Sequence, residues 1–421
     1  MSDYFIFLKE DTRQHVKRAL FPALITLCFL TGSAQNLPSL LLEKDINATF
    51  SIIAYDKQKR EWGIAVATNN IYVGNSTIYI EPGIGAFSII AETDPSYAIA
   101  GFRHLKAGKS IQESIECSKK DDKEWFNRQV AGIDSAGNVY AFTGSSLKYW
   151  QGMSDHIIGD GFVVMGNQLA KDVLQTMYNV YEGSRGTLAE RLIKSLIAGQ
   201  QAGGQIQGKQ SAALVVKGAG NEWFNQIDLR VDNSKTPFKD LQKLLDHHYG
   251  RIRLNQAIRA IRNNDTQKGS RLLSEATVML EGWNGIYPKI ALAYLLLKED
   301  KKAIGYIKKG LAETDAWKEF LPSFYLIRND PSADGLISED SFDEKDWSSA
   351  IYMLVNTNRL KEAAELSEDL LTRYPTTLIY YLSGKVNLQL GNRQKAKEHL
   401  SKSLQLDANN EESKILLAQL K

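Results

Sequence analysis

The sequence predicts an α+β protein in which two packed sheets lie between helices and an all-helical region follows. Two apolar, β-branched runs separated by a short polar segment open the first region and indicate a hairpin. Strands and helices then come in blocks rather than in strict alternation, which is typical of an α+β fold. After Arg251 only helical patterns occur, and some of them recur at a fixed spacing, as in helical-repeat proteins.

The hairpin is the clearest local signal in the chain. Its two runs, 47–56 and 62–74, flank five polar residues, Lys57 to Glu61. Both runs are apolar at consecutive positions (Ile52–Ala54 and Ile64–Ala67), so both faces of each strand are expected to be buried. Thr49 stands at the start of the first strand.

Turn residues and apolar periodicity predict the other elements of the first domain. They are two short strands around Pro82–Gly83, helices at 96–107 and 110–119, strands on either side of a turn at 134–137, a strand at 161–165, helices at 169–182 and 187–202, strands at 212–217 and 226–231, and a helix at 238–247.

Composition limits the functions to consider. The 421 residues favour two or three domains. A net charge of +2 gives no electrostatic reason to expect nucleic-acid binding. Two cysteines, Cys28 and Cys117, cannot form a disulfide framework or a cysteine zinc site, and His247–His248 has no third ligand at useful spacing. We therefore expect neither metal nor cofactor.

The segment 1–34 predicts a secretory signal peptide. Basic residues from Arg13 to Arg18 precede an apolar run, Ala19–Leu30, and a small-residue step that ends at Ala34. Cleavage after Ala34 would leave a short leader, 35–47, no stable membrane anchor, and a protein that is exported to the periplasm or the outside of the cell. The alternative is that the segment stays attached as an anchoring helix.

Several segments together resemble the domain-of-unknown-function 1028 family over residues 48–250. The resemblance implies an N-terminal-nucleophile hydrolase-like fold, which has four layers with two sheets between helices. It agrees with the block order of strands and helices. The segments that carry it are Thr49–Asp56, Trp62–Ala67, Val73–Gly74, Gly83–Ala86, Arg128–Val130, Thr143–Gly144, Gly166–Ala170, Ala202–Gly204, Gly208–Leu214, Asp228–Asp232 and Pro237–Leu245.

The resemblance also implies a chemistry. In such hydrolases the first residue of the processed chain attacks an amide, and its own α-amino group acts as the base. Thr49 matches the nucleophile position, so the mechanism requires a cut between Ala48 and Thr49, and the implied substrate is an amide or a peptide. Asn69, Gln210 and Ser211 complete the candidate catalytic set. The alternative is that Thr49 is simply a β-branched residue that starts a strand.

Some positions depart from the family pattern. The family usually has a basic residue near Asn69, and this chain has none there. Ile89–Ile90 stands where the family has a Thr–Gln pair, and Gln205 and Gln207 stand where it has Asp and Arg. Loss of these polar groups favours a second hypothesis, a non-catalytic exported binding or scaffold protein that keeps the fold.

Three charged residues near these positions are ambiguous. Arg128 is kept, as either a surface charge or a site residue. Glu92 and Asp94 either replace lost acid or base groups or lie in a solvated loop.

The C-terminal region, 251–421, resembles tetratricopeptide repeats. Asn358–Leu366 matches Asn392–Leu400, and Lys268–Gly269 matches Lys302–Ala303, with the same offset in both pairs. This offset equals the period of about 34 residues that is typical of such repeats. An irregular insert, 321–346, separates the two pairs.

The repeats also suggest a partner. Stacked repeats usually present a concave surface to a peptide or protein. The alternatives are that the repeats cap the first domain or that they mediate homo-oligomer formation.

Overall fold

A computed structural model describes residues 48–313, 325, 330–331 and 342–420. The predicted signal peptide and leader, and most of the predicted insert, lie outside the described residues. Two compact units divide the chain. Of the described residues, the first unit contains 48–209 and 217–220, and the second contains 210–216 and those between 221 and 420.

The first unit contains two antiparallel sheets. One sheet has the strands in the order β2-β1-β8-β7, and a four-stranded sheet has the order β3-β4-β5-β6. The strands are β1 Thr49–Asp56, β2 Glu61–Thr68, β3 Ile78–Glu81, β4 Gly85–Ala91, β5 Arg128–Asp134, β6 Val139–Thr143, β7 Met153–Gly159 and β8 Phe162–Leu169.

Four helices cover the outer faces of the two sheets. They are α1 Ser96–Lys106, α2 Ile111–Asp121, α3 Val173–Gly183 and α4 Leu188–Gln201. Strand β1 packs on β4 and β5, helices α1 and α2 lie on the four-stranded sheet, and α3 and α4 lie on the other sheet. The predicted fold class, with two sheets between helices, is confirmed.

The predicted hairpin is confirmed as β1 and β2. Thr49 lies opposite Thr68 at the open end, and Asp56 lies opposite Glu61 at the turn. Six consecutive residues from Thr49 are buried, because one face of β1 meets the second sheet and the other meets helix α4. The continuous apolar runs in the sequence reflect this burial on both faces.

One strand was not predicted. Met153–Gly159 (β7) is an edge strand whose residues are mostly half-exposed, so it lacks the apolar run that marks a buried strand. The predicted strand at 161–165 continues to Leu169, and the helix predicted from residue 169 begins only at Val173.

The second unit begins with a pair of strands and a long helix. Strands β9 Ser211–Gly218 and β10 Ile227–Val231 pair antiparallel, close to the predicted positions. Helix α5, Pro237–Arg262, begins with proline in its first turn, where no hydrogen-bonded N–H is needed. It was predicted to end at His247 but runs 26 residues without a break, so the predicted domain boundary at residue 250 falls inside it.

The rest of the second unit consists of paired helices, which confirms the predicted helical repeats. Helix α6 begins at Thr266 and α8 at Asp300, which is the offset that the sequence predicts. Three small residues of these helices, Gly269, Ala303 and Ala396, are buried. The helices are α6 Thr266–Met279, α7 Tyr287–Leu296, α8 Asp300–Glu313, α9 Glu344–Asn356, α10 Leu360–Arg373, α11 Thr377–Gln389, α12 Arg393–Leu406 and α13 Glu411–Ala418. One core cluster, formed by the second half of α5 together with these helices, extends from Leu254 to Val386.

Candidate active site around Thr49

Thr49 begins β1 and is only 5% exposed. Strand β1 lies between β2 and β8, so both neighbouring strands supply side chains around Thr49. Thr68 stands directly across on β2, and the end of β8 passes on the other side. The register of the hairpin therefore determines which groups surround the candidate nucleophile.

The Thr68 hydroxyl links the Thr49 hydroxyl to the peptide bond that precedes Thr49. Thr49 Oγ1 donates to Thr68 Oγ1 at 3.2 Å, and Thr68 Oγ1 donates to the Ala48 carbonyl oxygen at 2.6 Å. A hydroxyl donor on a carbonyl oxygen stabilises negative charge that develops there when the carbonyl carbon is attacked. Thr68 thus contacts both groups that a cut at Ala48–Thr49 would involve.

A chain of buried amides holds the Thr49 nitrogen. Thr49 N donates to Asn167 Oδ1 at 3.0 Å, and Asn167 Nδ2 donates to Gln129 Oε1 at 3.2 Å. Gln129 Nε2 lies 2.9–3.0 Å from three acceptors, the hydroxyl of Thr143 and two carbonyl oxygens. Asn167 and Gln129 are both fully buried, so this chain fixes the position of the Thr49 nitrogen.

The amide chain ends at a histidine. Thr143 Oγ1 lies 2.9 Å from His156 Nδ1. Burial lowers the pKa of His156, and the nearby Asp155 carboxylate only partly opposes this shift. His156 is therefore neutral near pH 7, when Nδ1 can accept a hydrogen bond from the Thr143 hydroxyl.

Asn167, Gln129 and Thr68 were not predicted as site residues. Asn167 and Gln129 lie within the segments that carry the family resemblance, and Thr68 follows one of them directly. Position in those segments was the only available signal, since a buried amide has no sequence pattern of its own.

The predicted catalytic residues lie in different units. Thr49 and Asn69 are in the first, and Asn69 Nδ2 donates to Gln207 Oε1 at 3.0 Å. Gln210 and Ser211 are in the second, where Gln210 Nε2 donates to Asn233 Oδ1 at 2.6 Å and Ser211 is fully buried at the start of β9. That all four act together stays a prediction.

A group of glutamine and asparagine side chains lies near the end of β8. Leu169 forms a bridge with Gln205, and Ile206 N donates to the Gln168 carbonyl at 3.1 Å, so the 204–207 segment runs beside the strand that carries Asn167. Within the described residues, four side chains here have at least one buried amide atom without a hydrogen-bond partner: Asn69, Gln168, Gln200 and Gln205. Neutral amide groups with free hydrogen-bonding capacity suit an uncharged polar ligand.

Arg128 does not reach Thr49 through any hydrogen bond of the described residues. Its side chain is 8% exposed and its Nε donates to Asp122 Oδ2 at 3.0 Å, with Glu92 and Glu124 at 3.4–3.5 Å and Asp94 at 4.0 Å. Glu92 and Asp94 are thus held in an ion cluster rather than in a solvated loop. The cluster joins the loop after β4 to the start of β5.

The Arg128 cluster stabilises its charged forms. Burial alone would raise the pKa of Asp122, but hydrogen bonds from Arg128 and from the Glu124 backbone outweigh it and lower that pKa. Burial alone would lower the pKa of Arg128, but Asp122, Asp94 and Glu92 outweigh it and raise that pKa. These residues satisfy one another, which fits a structural role.

Two general features of the described part of the chain also bear on function. It contains no group of three or more His, Cys, Asp or Glu side chains placed to hold a metal ion. None of its helices is both long and apolar enough to span a lipid bilayer.

The first part of the chain is similar to one known protein family. The model of a family described as "Family of unknown function (DUF1028)" matches residues 49–241, which confirms the predicted resemblance. These residues include strands β1 to β10 and the start of α5, and we call them the sheet domain. Protein SPO2555 from Silicibacter pomeroyi, assigned to the same family, has a solved structure that is 28% identical to this chain, with a TM-score of 0.43. The similarity covers 47% of this chain and 84% of that one.

The helical region is similar to solved repeat proteins. MamA from Desulfovibrio magneticus is 16% identical, covers 41% of this chain and 82% of its own, and has a TM-score of 0.20. TTC0263, a tetratricopeptide-repeat protein from Thermus thermophilus, is 13% identical, covers 41% and 98%, and has a TM-score of 0.21. The comparison with curated proteins gave no match.

Proposed function

We propose that the sheet domain is an N-terminal-nucleophile amide hydrolase that activates itself by cutting the Ala48–Thr49 bond. The observation that supports this most directly is the position of Thr68 Oγ1, which contacts both the Thr49 hydroxyl and the Ala48 carbonyl oxygen. Ala48 is fully buried. A buried bond is difficult for a separate protease to reach, so a self-cut is the simpler route.

The cut proceeds in two steps. Thr49 Oγ1 attacks the Ala48 carbonyl carbon while the Thr68 hydroxyl stabilises the developing oxyanion. The carbon–nitrogen bond then breaks, the proton from the Thr49 hydroxyl passes to the departing nitrogen, and Ala48 is left as an ester on Thr49. Water hydrolyses this ester, which frees the hydroxyl and leaves an α-amine held by Asn167 Oδ1. That amine then acts as the base when the hydroxyl attacks a substrate amide.

Export and partner binding are the other parts of the proposal. The signal peptide would deliver the protein to the periplasm or the cell exterior, and the helical repeats would bind a peptide or protein. The alternative function is a non-catalytic exported binding protein. In the uncut chain the Thr49 nitrogen is an amide and is not basic, which favours that alternative for as long as the leader stays attached.

The test is the N-terminus of the protein purified after export. Intact mass and N-terminal sequencing should find a chain that begins at Thr49. Thr49→Ala should abolish the cut, and Thr68→Val should slow it about a hundredfold, as expected for the loss of one oxyanion donor.

Thr77→Val is the matched control. Thr77 is also buried and its hydroxyl also donates to a backbone carbonyl, that of Val73, at 2.6 Å, but it does not contact Thr49. Its cutting rate should equal that of the unchanged protein. A chain that always begins at Gln35, or a Thr49→Ala variant that is still cut before residue 49, would show that the domain is not activated in this way.

A further inference from the structure

A cleft lies between two helices of the second unit. Helices α5 and α7 flank an open cleft with a volume of about 460 Å³. Asn255, Arg259 and Arg262 line it from α5, Asn263 lines it just after that helix, and Lys289 lines it from α7; these five polar residues are exposed. The spacing of three, four and seven residues on α5 places these side chains on one face of the helix.

The three cations of this cleft are not neutralised. Among the described residues, no carboxylate lines the cleft. Within the described residues, Arg259, Arg262 and Lys289 form no ion pair, whereas nearby Arg253 pairs with Glu275 and Lys309 pairs with Glu281. The chain as a whole is nearly neutral, with a net charge of +2. The overall composition therefore does not explain why three unpaired cations lie together at this site.

The cations also repel one another. Burial lowers the pKa of Lys289, and the charges of Arg251 and Arg262 lower it further. Like charges that are held together in this way cost stability unless an anion offsets them. A bound anion would relieve the repulsion, and the side chains would gain charge-assisted hydrogen bonds.

The lining also suggests the size and type of ligand. Guanidinium groups form bidentate hydrogen bonds with carboxylate and phosphate groups, and the side-chain amides of Asn255 and Asn263 add neutral donors. Ile258 and Leu292 give the cleft an apolar part. The volume falls in the usual range of small-ligand sites and exceeds the need of one simple ion.

We propose that this cleft binds a multivalent oxyanion, that is, a small molecule or chain segment with two or more carboxylate or phosphate groups. Arg259, Arg262 and Lys289 supply the charge, and the two asparagines orient the ligand. This site does not depend on the proposed hydrolase activity.

Isothermal titration calorimetry on the full chain tests the proposal. The probes are tripolyphosphate for phosphate groups and citrate for carboxylates, each titrated at matched ionic strength because added salt screens exposed charges. We expect at least one probe to bind, and the probe that binds more tightly identifies the chemistry of the ligand. Arg259→Gln, Arg262→Gln and Lys289→Gln should each raise the Kd about tenfold, as expected for one lost charge-assisted contact.

Arg271→Gln and Lys308→Gln are the matched controls. Both residues are exposed cations of the same unit that do not line the cleft. They should change the Kd less than about twofold. Circular dichroism melting checks that each variant is folded, and the three cleft positions are independent, so one misfolded variant leaves two readings. Failure of both probes to bind, or equal weakening by the control variants, would overturn the proposal.

Discussion

Arg128 lies at the centre of a largely buried ion cluster in the sheet domain. Four carboxylates lie within 4.0 Å of its guanidinium group. Arg128→Met should lower the free energy of unfolding by about 3 kcal/mol, because it leaves carboxylates in a partly buried place without their cation. Urea unfolding followed by tryptophan fluorescence measures this loss.

Lys106→Met provides the comparison for Arg128, since Lys106 pairs with Glu81 on the surface of the same unit. That change should cost less than about 1 kcal/mol, as exposed ion pairs usually do. If the two variants lose equal stability, the Arg128 cluster is no more than a surface ion pair.

His156 gives the sheet domain a pH dependence. Burial, the largest effect, lowers the pKa of His156 in the folded protein. The unfolded chain therefore binds a proton first as the pH falls, so this contribution to stability is full above about pH 6.5 and is lost below it. We expect the free energy of unfolding to fall between pH 7.5 and 5.5, and to fall less in His156→Asn.

The difference between His156→Asn and the unchanged protein is the quantity to measure. Burial also lowers the pKa of His248, in the second unit, and both proteins keep this residue. Its effect therefore cancels in the difference. Identical pH profiles of the two proteins would mean that His156 titrates normally.

Thr49 was predicted as a site residue because it matches the nucleophile position of the family that the segment resembles. The amide chain behind it was missed because Asn167 is 118 residues away in the sequence and meets Thr49 only when β8 pairs with β1. Single-sequence patterns report local preferences and burial, and neither one specifies which distant strand becomes the neighbour.

The same distinction applies to secondary-structure elements. The β1–β2 hairpin was predicted because its partners adjoin in the sequence and both faces are apolar. Strand β7 was missed because β8 stabilises it and its own residues are mostly half-exposed. Helix α5 was predicted too short. A glycine inside a helix usually weakens it, but the buried positions of α5 continue past Gly250 to Ile261 and keep the helix intact.

Two glycines in the helical repeats permit a direct test of close helix packing. A Cβ atom at Gly384 in α11 would lie 2.6 Å from Leu400 Cγ, whereas one at Gly305 in α8 would meet nothing within 4 Å. Gly305→Ala should stabilise the protein by about 0.5–1 kcal/mol, since alanine favours helix. Gly384→Ala should destabilise it by about 1–2 kcal/mol, because the overlap with Leu400 outweighs that gain.

Thermal or urea unfolding measures whether each glycine variant gains or loses stability relative to the unchanged protein. The substitution and the secondary structure are the same, so the helix preference is matched. A stabilised Gly384→Ala would show that α11 and α12 are not in close contact at that point.

The helical region, taken as a folding unit, includes helix α5. Its core extends from Leu254, which lies within α5. The first half of α5 also contacts the segment between α6 and α7, because the His247 and Trp283 rings stack with centroids 5.6 Å apart and His247 Nε2 lies 3.1 Å from the Glu281 carbonyl oxygen. The fragment 237–421 should therefore fold alone and give a helical circular dichroism spectrum.

A shorter fragment tests the boundary that the sequence alone predicts. The fragment 251–421 begins inside α5, so it loses the His247–Trp283 contact and the close approach of Gly250 to Leu280. It should be less stable than 237–421 by at least about 1 kcal/mol in urea, while the spectra of the two fragments at low temperature should be similar per residue. Equal urea midpoints would mean that residues 237–250 contribute nothing to the helical unit, and that the boundary at 250 is the correct one.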